Sequence, residues 1–505
     1  MSFKIAFIGA GSIGFTRKLL GDLLTVPEFD SLEVALSDIS EQNLDMIRQL
    51  AERDIRANGL DRVRLSATTD RRKAIAGARY VFCTVRVGGI EAFATDIDVP
   101  LRYGIDQCVG DTLAAGGIMY GQRGIPVILD ICRDIRAVAE PGCRLFNYAN
   151  PMAMLTWAAN DHGGVETVGL CHGVQGGHRQ IAEVLGVPQQ ELDIVAAGIN
   201  HQTWYVQLRH HGNDMTGKLL AAYERHPKYR ETEKVRIDML RRFGYYSTES
   251  NGHLSEYVPW YRKRPGEIRD WISLDTWIHG ETGGYLRVCT EKRNWFEEDF
   301  PRWMAEPPMQ FTPAERSSEH GSYIVEGLET GRTYRGHFNV KNNGAIANLP
   351  DDAVVEVPGY VDRNGMGIPL VGDLPLGCAA VCNASISVQR LAVAAAVAGD
   401  DTLLRQAMLL DPLVGAVATP PEVWQLVDDM LLAQRKWLPQ FGQAIAAAEE
   451  RLRDGDRLPT REWEGAARLE VRSVDQLRAG DGNGNGDATM RAEEHAFRLA
   501  GGNRN

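Results

Sequence analysis

The segment FKIAFIGAGSIGFTRKLLGDLL, which begins at Phe3, constrains the fold more than any other part of the chain. It joins a short run of almost purely apolar residues (3–8) to a glycine-rich turn and then to a helix-like pattern. A run this short and this apolar is typical of a strand buried on both faces of a parallel sheet. The opening of the chain therefore predicts an α/β fold.

The turn GAGSIG (residues 9–14) has the spacing G-x-G-x-x-G. In this motif Gly9 permits the tight turn, Gly11 lets the backbone approach a pyrophosphate, and Gly14 lets the following helix pack on the sheet. A glycine-rich turn by itself is weak support for a nucleotide site. Here a strand precedes it, a helix follows it, and a second apolar run, SLEVALSD, ends in Asp38. An acid at that place accepts hydrogen bonds from ribose hydroxyls, which favours NAD over NADP.

The alternation of strand and helix patterns continues to about residue 190, with further strands predicted before Arg86, Asn147 and Cys171. Ligands of open α/β sheets bind beyond the carboxyl ends of the strands. We therefore expect the side chains at these ends to converge on one site: Arg86, Asn147, Asn150, Cys171 and His172. The predicted cofactor-binding set is Gly9, Gly11, Ser12, Ile13, Gly14, Asp38 and Arg86.

The predicted fold is an N-terminal Rossmann-type doubly wound sheet followed by a mixed α+β domain, as in lactate and malate dehydrogenases. We divide the chain into a NAD-binding domain (1–190), an α+β domain for substrate, metal and oligomerisation (191–452), and a polar, flexible tail (453–505). In the second part, ELDIVAAGINHQTWYVQLRHHG predicts two paired strands interrupted by INH. The tail is polar and rich in glycine and asparagine.

Composition excludes several classes of protein. The formal net charge of −12 argues against a nucleic-acid partner, which would favour a basic surface. The start of the chain does not resemble a signal peptide. The late apolar stretch RLAVAAAVAG is shorter than the roughly 20 residues of a spanning helix. Eight cysteines without paired spacing do not predict a disulfide framework. We expect a cytoplasmic protein without a membrane partner.

Cys171 in GLCHGVQGG and His201 in GINHQTWY form the sharpest candidate for a metal site. A soft thiolate and an imidazole suit a divalent transition metal and leave coordination positions open for substrate oxygens. Spacing alone leaves the alternative that both residues are simply packed in the core. A dehydrogenase of lactate or malate type would instead need a catalytic His–Asp pair and no metal.

Seven motifs in order give the chain a resemblance to a known family: FIGAGSIGFT, GDTLAAGGI, NYANPMAMLTWA, GLCHGVQGG, GINHQTWY, STESNGHLSEYVPWYRK and NNGAIANLPDDAVVEVP. Together they resemble glycoside hydrolase family four, the NAD- and manganese-dependent glycosidases, and most of all its α-galactosidase branch. The resemblance covers roughly the first 440 residues. It implies NAD and Mn²⁺ as cofactors, a glycoside as substrate, and a homodimer or homotetramer.

The resemblance also implies roles for individual residues. Cys171 and His201 correspond to the metal ligands of the family, and Asp111 of the GDT motif to the general acid. Tyr257 of HLSEY corresponds to the base, with Glu256 one residue away as the alternative and His253 close by. The predicted substrate contacts are Asn150, Asn200 and His172, of which His172 fits a structural role equally well.

The implied reaction is hydrolysis of an α-glycosidic bond without a direct displacement. NAD⁺ takes hydride from C3 of the sugar, the metal polarises the O2 and O3 oxygens, and the base removes the proton at C2. The bond at C1 then breaks by elimination with help from the acid, water adds, and the hydride returns.

The identity of the sugar stays open at this point. Gly173 follows the Cys-His pair where α-galactosidases commonly carry serine, so an α-glucuronidase, an α-galacturonidase or an α-glucosidase is the alternative. An arginine or lysine would then bind a uronate, and the candidates are Arg86, Arg262, Lys263 and Arg264. A NAD-dependent dehydrogenase of a small hydroxy substrate is the alternative of another class, and a nucleotide-binding redox sensor without a metal is a third.

Overall fold

A computed structural model describes residues 1–274, 280–455 and 457–479. Its strands are β1 (Lys4–Ile8), β2 (Glu33–Ser37), β3 (Arg64–Thr68), β4 (Tyr80–Cys83), β5 (Arg144–Asn147), β6 (Thr167–Gly169), β7 (Leu192–Ile199), β8 (Gln202–His210), β9 (Asn213–Asp214), β10 (Tyr334–Lys341), β11 (Val354–Asp362) and β12 (Gly365–Gly367).

The α-helices of the described residues are α1 (Ile13–Leu24), α2 (Glu41–Ala57), α3 (Arg71–Ile75), α4 (Gly89–Leu101), α5 (Ala114–Val138), α6 (Met152–Ala158), α7 (Gly173–Leu185), α8 (Thr216–Arg225), α9 (Tyr229–Thr232), α10 (Lys234–Phe243), α11 (Asn251–Glu256), α12 (Pro265–Trp271), α13 (Gly284–Ala305), α14 (His320–Thr330), α15 (Leu376–Ala398), α16 (Asp401–Leu410), α17 (Pro412–Val417), α18 (Pro420–Gln434), α19 (Gly442–Asp454) and α20 (Val474–Ala479). Short 3₁₀ turns occur at Pro27–Phe29, Gln189–Glu191, Arg435–Trp437 and Pro439–Phe441, and a π-helical turn at Ala159–Gly163.

The strands form one mixed sheet with the main order β3-β2-β1-β4-β5-β6-β10-β11-β7-β8-β9. The first six strands are parallel and have the 3-2-1-4-5-6 order of a doubly wound dinucleotide fold. Strand β10 then pairs antiparallel with β6, so the second half of the chain extends the same sheet. The predicted Rossmann-type α/β fold with a mixed second part is confirmed.

Strand β1 is apolar from Ile5 to Ile8 because both of its faces are buried. Ile5 and Phe7 point into a core shared with α1 and α2, where the ring of Phe7 stacks on Phe82 at 5.2 Å. Ala6 and Ile8 point to the opposite face, into the core built around α5 and α6. A central strand covered by helices on both faces has no solvent side, so alternation between polar and apolar residues is absent.

The hairpin predicted around INH is present and carries a sharp turn. Strands β7 and β8 pair antiparallel, and only Asn200 and His201 connect Ile199 to Gln202. His201 has a φ of 64°, which belongs to the left-handed region that a two-residue hairpin loop needs. The turn therefore projects both side chains from the end of the hairpin.

The part of the chain predicted to be a flexible tail packs on the fold over much of its length. Helix α19 continues past residue 453 to Asp454, and residues 457–479 lie against the body. The backbone N–H of Ala466 donates to Asp106 at 2.8 Å, and Arg472 pairs with buried Glu291 at 3.0 Å. These contacts combine ion pairs and backbone hydrogen bonds with a few buried apolar side chains, Ala467, Val474 and Leu477. So few apolar residues leave the composition of the segment polar. Residues 480–505 lie outside the described residues.

Among the described helices one, α15, is long and apolar enough to cross a membrane by length and composition. It has 23 residues, so the apolar segment is longer than the stretch recognised in the sequence. Half of its most apolar window is buried, and it packs against α5 and α16. A core helix passes the same test of length and composition.

Candidate functional site

The glycine-rich turn adopts the close packing that its sequence predicts. Gly9 has a φ of +88°, and a Cβ on it would lie 2.8 Å from the backbone carbon of Thr84 and the nitrogen of Val85. Its backbone N–H donates to Ser37 at 2.9 Å. Gly9 therefore joins the ends of β1, β2 and β4 at the place where a dinucleotide binds in this fold.

Asp38 lies at the predicted end of the second strand and already has protein partners. Its Oδ2 accepts the backbone N–H of Gly11 at 2.7 Å, and its Oδ1 accepts that of Ser40 at 2.9 Å. A Cβ on Gly11 would lie 2.7 Å from the same Oδ2. Asp38 thus fixes the glycine-rich turn, and each oxygen keeps a second lone pair for a ribose hydroxyl.

The remaining members of the turn begin helix α1. Ser12 is its N-cap and is exposed, whereas Ile13 is buried beneath the turn. A Cβ on Gly14 would meet no heavy atom of the described residues within 4 Å. The close packing of helix against sheet that we expected at Gly14 is therefore not observed.

Asp111 is fully buried in the loop before α5 and accepts three side-chain hydrogen bonds. Its Oδ2 accepts from Asn150 Nδ2 at 3.0 Å and from Arg86 Nη2 at 3.4 Å. Its Oδ1 accepts from the hydroxyl of Thr112 at 2.9 Å. The predicted convergence of Arg86 and Asn150 at the strand ends is present, and Asp111 is the residue on which they meet.

Arg86, predicted to bind the cofactor, lies in an aromatic enclosure beside Asp111. Its guanidinium carbon is 4.6 Å from the ring centre of Phe93, 5.3 Å from Tyr120 and 5.4 Å from Tyr285. Aromatic faces attract a cation in this geometry and hold it in place. Within the described residues, the side chain of Arg86 thus contacts Asp111 and these three rings and not the glycine-rich turn.

Cys171 and His201, which lie far apart in sequence, meet at one point together with Glu249. One potential ligand atom from each of the three lies within 4.8 Å of the other two. Cys171 is in the segment after β6, His201 is in the β7–β8 hairpin loop, and Glu249 precedes α11. A thiol, an imidazole and a carboxylate form a donor set suited to a divalent transition metal, so the residues fit the expected ion.

A chain of hydrogen bonds links this cluster to Asp111 and assigns the protonation of His201. The Thr112 hydroxyl donates its single proton to Asp111, so its contact of 3.2 Å with His201 Nδ1 uses the hydroxyl oxygen as acceptor. Nδ1 therefore carries the proton and Nε2 keeps its lone pair for a metal. Burial lowers the pKa of His201 to about 4, which also favours the neutral ligand form.

The pKa values of the other two members of the cluster, Cys171 and Glu249, shift in opposite directions. Burial, followed by the charges of Glu356 and Glu249, raises the pKa of the Cys171 thiol well above its usual value. Burial also acts to raise the pKa of Glu249, but His201 and His253 outweigh it and the net pKa lies well below the ordinary range. Deprotonation of Cys171 therefore requires additional positive charge in this site.

Tyr257 and Glu256, the two candidates for the base, have different surroundings. Glu256 accepts the backbone N–H groups of Cys108, Val109 and Gly110 and so holds the loop that leads to Asp111. The Tyr257 hydroxyl donates to the carbonyl of Asn200 at 3.4 Å. Its ring lies 5.5 Å from His253, which in turn lies 4.6 Å from the ring of His201. Tyr257 thus adjoins the cluster, whereas Glu256 is occupied by backbone donors.

The tyrosine is not ionised by its protein surroundings. Burial, followed by the charge of Glu249, raises the pKa of Tyr257 well above its usual value. A phenolate at this position needs a positive charge nearby.

Two of the predicted substrate contacts differ in environment. Asn200 is fully buried, and neither its amide nitrogen nor its oxygen has a hydrogen-bond partner among the described residues. A buried amide without a protein partner can hydrogen-bond a ligand or a water. The His172 side chain is 59% exposed and lies 3.6 Å from Glu319. It is the N-cap residue of α7, without a side-chain capping hydrogen bond.

Of the basic residues considered for a uronate, three are engaged elsewhere. Arg262 is fully buried and pairs with Asp106 at 2.7 Å. Lys263 and Arg264 lie beside Glu267, at 4.0 Å and 3.4 Å. Arg86 is the member of the set that the structure brings to Asp111.

Sequence reasoning missed Glu249 and Thr112. Thr112 lies next to Asp111 in the GDT motif and could have been recognised there as a bridge. Glu249 lies within STESNGH, and no spacing rule connects it to Cys171 or His201. Its position depends on the pairing of Thr248 with Thr203 across the edge of β8, which the sequence does not reveal.

Two family models match most of the chain. The model for family 4 glycosyl hydrolases matches residues 4–187, and the model for the C-terminal domain of family 4 glycosyl hydrolases matches residues 196–414. An α-galactosidase of Rhizobium meliloti (strain 1021) is 61% identical over 95% of this chain and 97% of its own length. An α-galactosidase of Bacillus subtilis (strain 168) is 33% identical over 87% of this chain and 99% of its own.

A solved structure has the same fold. The 6-phospho-β-glucosidase of Thermotoga maritima, crystallised with manganese, NAD⁺ and glucose-6-phosphate, superposes with a TM-score of 0.71 at 22% identity. The match covers 86% of this chain and 99% of that one.

Proposed function

The chain belongs to family 4 of the glycosyl hydrolases, and from this we propose that it is an α-galactosidase that requires NAD⁺ and a divalent metal ion such as Mn²⁺. The 61% identity to an α-galactosidase over nearly the full length supports the sugar and the anomer. The single observation that carries the proposal is the meeting of Cys171 and His201 next to Asp111, with Thr112 bridging the imidazole and the carboxylate.

Both cofactors fit the residues present. The N–H groups from Gly9 to Ser12 are bonded within the protein, so the first turn of α1, which has no side-chain cap, is the part open to a pyrophosphate. Asp38 retains lone pairs for a ribose. Cys171 and His201 would hold the metal. When bound, NAD⁺ accepts and returns a hydride at C3 of the sugar, and the metal ion polarises the sugar oxygens at C2 and C3.

The residues of the chain itself transfer the protons and position the sugar. We assign removal of the C2 proton to Tyr257, because Glu256 is engaged by three backbone N–H groups. We assign protonation of the leaving oxygen at C1 to Asp111. Asn150, which donates to Asp111, and Asn200, whose amide has no protein partner among the described residues, would contact sugar hydroxyls.

We further assign His172 to substrate binding, where its exposed ring would contact the aglycone or an outer sugar. Its exposed ring and its position at the start of α7 support this role. The backbone of the turn that carries Gly9, Gly11, Ser12, Ile13 and Gly14 would hold the cofactor phosphates. Arg86 would complete the cofactor side of the pocket while orienting Asp111.

A neutral sugar agrees with the charges around the pocket. Arg262, Lys263 and Arg264 each have a carboxylate partner, and Arg86 is neutralised by Asp111. A uronate would compete with Asp111 for Arg86, and burying a second carboxylate there is costly. This supports galactose over galacturonate or glucuronate.

The test is an assay of the purified protein on p-nitrophenyl α-galactoside, α-glucoside and α-galacturonide, with NAD⁺, Mn²⁺ and a thiol reductant. We expect nitrophenol release from the galactoside that requires NAD⁺ and is abolished by EDTA, without accumulation of NADH. In D₂O, the released sugar should carry deuterium at C2, because elimination and addition exchange that proton whereas direct displacement does not.

Two substitutions separate the roles of the residues. Asp111→Asn should lower the rate on unactivated galactosides at least about 100-fold, and Tyr257→Phe should lower both the rate and the C2 exchange by a similar factor. Tyr261→Phe is the matched control, since Tyr261 is a buried tyrosine that bonds Asp238 outside the cluster. Release of nitrophenol without NAD⁺, or without exchange at C2, would refute the mechanism. Preference for another sugar would refute the substrate.

We also propose that the protein acts as a homodimer or homotetramer in the cytoplasm. All eight cysteines are free, as is typical of a reducing compartment. Leu370 precedes the apolar helix α15 and is 80% exposed, and Leu376 begins that helix and is 85% exposed. These apolar side chains would be covered in an oligomer. Sedimentation equilibrium tests the oligomer: a monomer at micromolar concentration would refute it, and Leu376→Glu should weaken association.

A further inference from the structure

We propose that Glu249 is a third protein ligand of the metal ion, and that Gly173 has no side chain because Glu249 occupies the space beside it. This inference rests on the proposed function, in which Cys171 and His201 bind the metal. It adds a carboxylate to the coordination sphere and explains the glycine that follows the Cys-His pair.

The backbone holds Glu249 in register with the hairpin that carries His201. Thr203, two residues after His201, exchanges two hydrogen bonds with Thr248: its N–H donates to Thr248 Oγ1 at 2.9 Å, and its carbonyl accepts the Thr248 N–H at 2.8 Å. Ser247 forms a bridge with Trp204 next to this pair. The backbone position of Glu249, one residue beyond the pair of Thr203 and Thr248, is therefore fixed.

The two oxygens of Glu249 face different neighbours. Oε2 lies 3.7 Å from His253 Nδ1, which is longer than a direct hydrogen bond. Oε1 lies on the side of Gly173, where a Cβ on the glycine would come within 2.2 Å of it. The same Cβ would lie 3.6 Å from the Cys171 sulfur. Glu249 thus extends into the space between the helix start and the thiol and is not simply an ion-pair partner of His253.

The charges of the set match a divalent cation. A thiolate and a carboxylate together carry two negative charges, and neutral His201 adds none. A divalent ion bound by all three leaves the buried site neutral, which avoids the cost of an unpaired buried charge. Three protein ligands with open positions are also the usual arrangement where a metal must bind substrate oxygens.

The test is the dissociation constant of Mn²⁺ from the full-length protein, freed of metal by chelation and titrated in the presence of NAD⁺. Free Mn²⁺ is followed by its EPR signal, which does not depend on turnover. We expect Glu249→Gln to weaken binding at least about tenfold, because even residues that only support a ligand cost 10- to 100-fold. Asp352→Asn, at a surface pair with Arg390, is the matched carboxylate-to-amide control and should bind as the wild type does.

The glycine gives a second, independent variant. Gly173→Ala should displace Glu249 and weaken Mn²⁺ by a similar factor. Gly176→Ala, on the same helix with no heavy atom within 4 Å of the added Cβ, should leave the constant unchanged. In the double variant the two losses should not add, since both remove the same contact. Additive losses would show that Gly173 acts through the helix and would overturn that half of the inference.

Failure of the inference is distinguishable from failure of the proposed function. If Cys171→Ala and His201→Ala weaken Mn²⁺ but Glu249→Gln does not, the metal site stands and the third ligand is refuted. If none of the three substitutions changes the Mn²⁺ constant, the metal site itself is refuted. Thermal unfolding of each variant identifies any loss that comes from misfolding.

Discussion

Replacement of Arg262 by methionine should destabilise the protein by about 3–5 kcal/mol, the usual cost of removing one partner of a buried ion pair. Arg262 and Asp106 are both fully buried. The guanidinium donates to the Asp106 side chain and to the Asp106 carbonyl, each at 2.7 Å, and to the Gly280 carbonyl at 2.6 Å. Methionine fills a similar volume but leaves the Asp106 charge without its cation.

Thermal unfolding at pH 7 is the assay. At about 2.1 cal/mol/K of unfolding entropy per residue, a cooperative unit of 505 residues shifts its midpoint by about 1 °C per kcal/mol, so the midpoint should fall by roughly 3–5 °C. Arg264→Met is the matched control: Arg264 is 74% exposed, and its contact with Glu267 is worth less than about 1 kcal/mol.

A second substitution tests the cause of the loss. Adding Asp106→Asn to Arg262→Met removes the stranded charge, so the double variant should be more stable than the sum of the two single losses predicts. The Asn side chain can still accept from Thr282 or from the Ala466 N–H, the two further donors to Asp106. A midpoint shift below about 2 °C for Arg262→Met, or strictly additive losses, would refute the reasoning.

Three further predictions concern the supports of the site. Gly9→Ala combines a φ of +88° with a 2.8 Å contact to Thr84; we expect a loss on the order of 1–3 kcal/mol and weaker NAD⁺ binding by fluorescence titration, and unchanged affinity would contradict this. Asp411→Ala removes the acceptor of three N–H groups, including that of Ala114 at the start of α5. It should cost at least about 2 kcal/mol in thermal unfolding, with Asp411→Asn losing less. Burial raises the pKa of Asp22 to about 6 in spite of its hydrogen bonds from Ser317. The folded state then binds this proton more tightly than the unfolded state, so the carboxyl costs stability as pH rises from about 4 to about 6. The stability of Asp22→Asn relative to wild type should increase by about 2–3 kcal/mol across that range and level off above it, whereas a difference independent of pH would contradict the shift.

The N-terminal half was largely predictable because its signals are local. An apolar run, a glycine spacing and an acid at the end of the next strand depend only on neighbouring residues, and the structure has the predicted strands, turn and helix there. The same holds for the β7–β8 hairpin, whose two-residue loop carries His201. Arg86 and Asn150 were expected near one another from the rule that strand ends converge, and both meet Asp111.

Other features depended on contacts between distant segments and were missed or misassigned. Glu249 reaches the Cys171 and His201 cluster through pairing of Thr248 with β8, and no spacing in the sequence encodes that pairing. Arg262 was a candidate for a substrate carboxylate, but its charge is satisfied by Asp106 in the interior. The segment after residue 453 was expected to be flexible, yet residues 457–479 bind the body through groups such as the Ala466 N–H.

The sequence by itself determined the class of fold, the nucleotide turn and the family. Each is recognised from short patterns whose residues interact within one strand, turn or helix. The tertiary structure alone decided how the chemistry is arranged. It brings Cys171, His201 and Glu249 together from three elements, and it links them to Asp111 through Thr112. The physical reason is that a charge or a hydrogen-bonding group buried in the fold must find its partner in space, wherever that partner lies along the chain.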